Sequence, residues 1–315
     1  MDKQPIKLSV LDLVPVYGKA DASYALGRAA ELAQTAERLG YSRYWVAEHH
    51  DMPGLACTSP EVLLAYIGAR TKRIRIGSGA LLLPHYKPLK VAESFHMLAS
   101  LYPGRVDLGM GRAPGGTAHV SMALSGNFLE NVRQLPESLK SISKLMQGQY
   151  EWEGEPVIAR PLPSTPPELW MLGTNRRSAA YAAEFGMGYV FGQFMSDMDG
   201  EEILSAYRQE FVSSPLCCTP RTIVAIGVIC AETEEEAHCL AADSTALFRP
   251  EGSLTEPAAF SGSKLLVGRP VDVKTRLEEL SLLYGVAEFI VVTMIPDYRK
   301  RIRSFELLAK AFWGE

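Results

Sequence analysis

The 315-residue chain carries 32 Lys and Arg against 36 Asp and Glu, a formal charge of −4, and 47% of it is hydrophobic. That balance excludes a disordered chain, a low-complexity fibre and a basic nucleic-acid binder, and leaves a soluble globular protein. Length alone admits one domain or two, because α/β barrels run to this size as one unit.

Five cysteines, Cys57, Cys217, Cys218, Cys230 and Cys239, form neither a zinc-type CxxC pair nor a disulfide framework, so a reducing cytoplasm is expected. No basic-then-apolar leader opens the chain, and its longest uncharged stretch, Ala113 to Leu129, is broken by glycine, proline and serine, so no membrane insertion is expected.

Eight short apolar runs read as strands: Ile6–Leu13, Ser42–Glu48, Ile74–Leu82, Val106–Gly111, Glu168–Leu172, Gly188–Gly192, Thr222–Ala231 and Glu288–Thr293. Several are too continuous for a sheet with one wet face. Between them, helices are expected at about 23–39, 60–71, 88–101, 127–147, 177–185, 199–213, 233–247, 270–283 and 297–312. Ser59 before Pro60, Thr233 with Glu236, and Asp297 supply N-terminal signals. Alternation with eight strands points to an α/β protein of the (β/α)8 TIM-barrel class, with an open doubly wound sheet as the rival. Two insertions exceed the minimal barrel: a hairpin at Tyr150–Ile158, and the Gly-, Pro- and Ser-containing Phe248–Arg269, which reads as a mobile lid. About 39 residues per βα unit favour one domain over residues 1–315.

Catalytic groups of such a barrel lie at the C-terminal strand ends. These ends read Glu48-His49-His50, Gly77-Ser78-Gly79, Gly109-Met110-Gly111-Arg112, Gly173-Thr174-Asn175 and Gln193. Neutral imidazole both accepts and donates near pH 7, and strand alternation would turn at most one of His49 and His50 toward the mouth. The glycines let a flat ligand approach the backbone, or serve tight turns. Arg112, with Thr174, Asn175, Arg176, Arg177 and Ser178 at a helix start, looks like a phosphate site, although Arg112 could instead pair with Asp107. Glycines, amides, hydroxyls and a guanidinium suit an organic anion better than a metal ion. Neither a phosphate-binding P-loop nor a Gly-x-Ser-x-Gly elbow is present.

Together, Tyr44-Trp45-Val46-Ala47-Glu48-His49-His50, Arg73-Ile74-Arg75-Ile76-Gly77-Ser78-Gly79, Pro88-Leu89-Lys90-Val91-Ala92-Glu93 and Tyr102-Pro103-Gly104-Arg105-Val106-Asp107-Leu108-Gly109-Met110-Gly111-Arg112 form a signature. On it, the chain resembles the bacterial luciferase-like flavin monooxygenases, in particular their small single-chain members. The resemblance implies reduced FMN and O2, a C4a-hydroperoxide, and oxygenation of a small organic substrate such as an aldehyde, ketone or aromatic. It implies that His49 is the catalytic base, that Arg112 grips the FMN phosphate with Thr174, Asn175 and Ser178, and that Gly77, Ser78 and Gly79 lie beneath the ring. Gln193 joins the cofactor-binding set. An NAD(P)H:flavin reductase partner and a homodimer through helices 60–71 and 88–101 are implied as well. Thr174 stands where the luciferases proper have an acidic residue, and Gly111 replaces a reactive cysteine, so light emission is not implied. A deazaflavin cofactor, a non-catalytic flavin-binding protein and a flavin-free lyase are the alternatives.

Overall fold

A computed structural model describes residues 5–247 and 264–314. Eight parallel strands close into a barrel: Lys7–Asp12, Arg43–Val46, Arg75–Ser78, Val106–Gly111, Glu168–Gly173, Gly188–Gly192, Thr222–Cys230 and Glu288–Val292. Strand eight pairs with strand one (Lys7↔Glu288) and with strand seven (Val224↔Phe289), which removes the free edges of an open sheet. The closed ring decides between the two architectures that the alternation of elements allowed.

Both faces of each strand are buried, which explains the continuous apolar runs. Leu8, Val10, Tyr44, Val46, Leu108, Met110, Phe289 and Val291 point outward into the helix layer. Their neighbours Leu11, Trp45, Trp170, Val190, Ile223, Ala225, Ile290 and Val292 form a second, inner cluster. Trp45 and Trp170 fill the barrel axis edge to face, with ring centroids 5.8 Å apart.

Inward glycines make that filling possible. A Cβ on Gly77 would lie 2.7 Å from Trp45 Nε1, one on Gly109 2.1 Å from the Ser78 carbonyl oxygen, and one on Gly188 2.3 Å from the Trp170 ring. Beneath the tryptophans lies a charged floor. Arg43 bonds Asp107 at 2.8 Å, Glu168 at 3.1 Å and Glu288 at 2.9 Å, while Arg75 pairs with Asp107 and Glu168 and Arg221 with Glu168 at 2.8 Å. Burial alone would raise the Asp107 carboxyl, but Arg43 and Arg75 hold it below the ordinary range.

The helices are α1 Ala22–Arg38, α2 Pro60–Gly68, α3 Pro88–Leu101, α4 Ala118–Ser125, α5 Phe128–Arg133, α6 Leu135–Met146, α7 Arg176–Glu184, α8 Gly200–Glu210, α9 Glu234–Leu247, α10 Pro270–Tyr284 and α11 Tyr298–Trp313. Asp297 and Thr233 accept backbone N–H bonds at their helix starts, whereas the Ser59 side chain makes no capping bond. The expected helix 127–147 is two, divided at Gln134 with a proline in the first turn of the second. The hairpin is present as Glu151–Trp152 paired with Glu155–Pro156. Of the expected lid at 248–269, residues 248–263 lie outside the described residues, and Leu265–Gly268 is a strand paired alongside strand seven. Among the described residues, no helix is long and apolar enough to cross a membrane.

Candidate active site

Strand two ends at Val46, so alternation no longer governs His49 and His50. Backbone contacts fix this segment instead: His49 N–H donates to Cys57 O at 2.9 Å, and His50 N–H to Gly115 O at 2.8 Å. Burial pushes the His49 imidazole down to about 4, His50 adds to the effect, and a backbone contact at Ala47 opposes it. His49 is therefore uncharged at neutral pH, and its buried Nδ1 has no hydrogen-bond partner among the described residues.

His50 has a different setting. Its Nε2 lies 2.7 Å from Glu48 Oε1, which also accepts from the Tyr86 hydroxyl at 2.8 Å, while Glu48 Oε2 accepts from Leu82 N–H at 2.9 Å. The His50 ring meets His85 edge to face, and His85 stacks on Phe128. The sequence singled out Glu48-His49-His50 as a set, but not the direct Glu48–His50 contact within it or the bonds from Leu82 and Tyr86 that hold the carboxylate, which come from far along the chain.

At the end of strand three the Gly79–Ala80 peptide is cis, and Ala80 O accepts from Glu48 N–H at 3.3 Å. The glycines here are also demanded by the barrel's own packing. Cβ atoms on Gly79 and Gly111 would lie 2.6 Å from Leu11 Cδ1 and 2.9 Å from Ala80 Cβ, so larger residues at either position would displace their neighbours. The Ser78 hydroxyl is internal too, donating to Gly109 O at 2.8 Å and accepting from Gly109 N–H at 3.1 Å.

Arg112 follows strand four and is half-buried, and no carboxylate or hydrogen-bond partner meets it among the described residues. Asp107, its possible partner by sequence, is taken up by Arg43 and Arg75 in the floor. Continued past Met110↔Met171, the register brings Arg112 beside Gly173 at the end of strand five, next to Thr174. Asn175 caps α7, its side chain accepting from the Arg177 and Ser178 N–H groups at 3.1 and 3.3 Å, and the Ser178 hydroxyl donates to Asn175 O at 2.7 Å. Arg176 turns outward to Glu202 and Glu210, and Arg177 to the Tyr181 hydroxyl. Of the residues read as one phosphate site, Arg112 and the Thr174 hydroxyl lack partners among the described residues, while the Asn175 side chain and the Ser178 hydroxyl bond within the start of α7. At the end of strand six, Gln193 Oε1 is buried without a partner among the described residues.

The profile of the luciferase-like monooxygenase family matches residues 6–281, and the chain belongs to this family. It is 40% identical to the uncharacterized protein YwcH of Bacillus subtilis, over 98% of this chain and 99% of YwcH. To N-acetyl-S-alkylcysteine monooxygenase of the same organism it is 33% identical, over 97% and 98% of the two chains. Among solved structures, apo-MsnO8 superposes with a TM-score of 0.89 at 36% identity, over 98% of each chain.

Proposed function

We propose that the protein is a flavin-dependent monooxygenase that binds FMN at the C-terminal mouth of the barrel and acts on a small organic substrate. The observation that carries this reading is the set of unmet polar groups around the mouth. Three strand ends, those of two, four and six, present His49 Nδ1, the Arg112 guanidinium and Gln193 Oε1 without protein partners among the described residues. Leaving buried polar atoms unpaired costs about 1–3 kcal/mol each, so a ligand that pairs them gains affinity.

The donor set fits an anionic flavin. Arg112 and the Thr174 hydroxyl would hold its phosphate, since a guanidinium and a hydroxyl on adjacent strands offer charge-assisted and neutral donors together. His49 and Gln193 would meet the polar edge of the ring. Reduced FMN would supply the activation of O2 and the transfer of one oxygen atom. His49 stays neutral and can take up a proton, and the apolar layer of Leu11, Trp45, Leu172 and Phe194 below the mouth excludes water. The similarity to N-acetyl-S-alkylcysteine monooxygenase supports oxygen insertion, although it does not name this chain's substrate. A separate NAD(P)H:flavin reductase would deliver the reduced cofactor, because no dinucleotide fingerprint is present in the sequence. A deazaflavin would meet the same phosphate grip; Glu48-His49-His50 favours FMN through the resemblance that those residues carry.

Fluorescence titration with FMN tests the assignment. Arg112→Ala should weaken binding by about 10- to 100-fold, the equivalent of one charge-assisted contact, and His49→Ala by no more than about tenfold, the equivalent of one neutral contact. Unchanged affinity in Arg112→Ala would remove Arg112 from the site, and tight binding of a deazaflavin in place of FMN would change the cofactor.

A further inference from the structure

Glu48 is 2% exposed, yet it reaches three separate parts of the chain. Its Oε2 takes the Leu82 amide just beyond the cis Gly79–Ala80 peptide, and its Oε1 takes the Tyr86 hydroxyl and faces His50 Nε2 at 2.7 Å. A carboxylate only accepts, so the neutral imidazole that faces it carries its proton on Nε2. His50 Nδ1 has no partner among the described residues and is left as an acceptor. We infer that Glu48 is a positioning residue that selects the Nε2–H tautomer of His50 and so sets which ring nitrogen can accept a proton beside His49. The use of that acceptor in oxygen transfer rests on the flavin monooxygenase reading; the tautomer does not.

The geometry specifies what the isosteric variant must do. In Glu48→Gln the buried Leu82 N–H still requires an acceptor, so the amide carbonyl occupies the Oε2 position. The NH2 group then faces His50, donates to Nε2, and drives the proton to Nδ1. Tyr86→Phe removes a donor to the same carboxylate without touching His50, so it should leave the tautomer as it is.

The experiment is two-bond 1H–15N correlation spectroscopy on 15N-histidine-labelled apo-protein at about pH 8, where histidine is mostly neutral. The chain has six histidines, and His50 is identified by its loss in His50→Gln. Expected are Nε2–H in the unsubstituted protein and in Tyr86→Phe, and Nδ1–H in Glu48→Gln. An Nδ1–H signal in the unsubstituted protein overturns the inference without any Glu48 variant having to fold. Retention of Nε2–H in a folded Glu48→Gln overturns it too. FMN affinity is measured on the same samples: Glu48→Gln should stay within about threefold, and a loss beyond about tenfold with the tautomer unchanged would make Glu48 a cofactor ligand instead. Absence of FMN binding in every sample would remove the flavin reading and leave the tautomer result standing.

Discussion

His49 illustrates how a residue can be legible in type and illegible in state. Its position at a strand end was readable from sequence, but its charge depends on burial between Ala47, Cys57 and His50, which only the fold supplies. The consequence for stability has a definite sign. An unfolded histidine takes a proton near 6.5, whereas the folded imidazole resists protonation down to about 4. Between those values the unfolded chain binds more protons, so stability falls as pH falls, by up to about 3 kcal/mol from this group. Urea unfolding at pH 7 and at pH 5 should show a smaller loss in His49→Gln than in the parent; equal losses would mean that His49 ionises normally. Arg112 and Gln193 were likewise readable as polar strand ends, while the diversion of Asn175 and Ser178 into a helix cap was not. Asn175 gives the same sequence signal whether its side chain meets a ligand or its own helix.

At the scale of elements, strands were clearer than helices. Strand runs are buried on both faces and therefore almost wholly apolar, a pattern that short segments repeat eight times. Helix α4 was missed because it has no apolar stripe to read: Ser121 is its one buried residue, and Met122 and Leu124 are exposed. The glycines of strands three and four were read as room for a ligand or for tight turns, and the fold adds a further demand on them. Their small size complements Trp45 and Trp170 and the neighbouring backbone, and nothing in the local sequence reports which partner fills that space. Gly109→Ala should therefore destabilise the protein by about 3 kcal/mol or more, since its new methyl would fall on the Ser78 carbonyl oxygen, a backbone atom that cannot swing aside. A chemical-denaturation midpoint close to that of the parent would show that the strands can part at small cost.

For the whole molecule, α2 and α3 divide their apolar residues between two tasks. Leu63, Leu64, Ile67, Val91, Phe95 and Leu98 enter the core, whereas Val62, Tyr66, Met97 and Leu101 stay 67%, 41%, 52% and 59% exposed. That outer set is the surface on which the homodimer implied by the family resemblance would form. Sedimentation at micromolar concentration should give twice the chain mass, and Met97→Glu combined with Leu101→Glu should return it to single mass; a parent that sediments as one chain contradicts the dimer.

The charged floor carries a consequence for how the barrel can close. Arg43, on the second strand, divides its donors among carboxylates from the fourth, fifth and eighth, and the last of these, Glu288, lies 245 residues further along the chain. An incomplete ring would hold that guanidinium in the interior one anion short, and a one-residue slip of any contributing strand would turn its charge out among the helices. Closure thus becomes all-or-none and self-checking: electrical neutrality inside the ring is reached only when the final strand has arrived in the correct register.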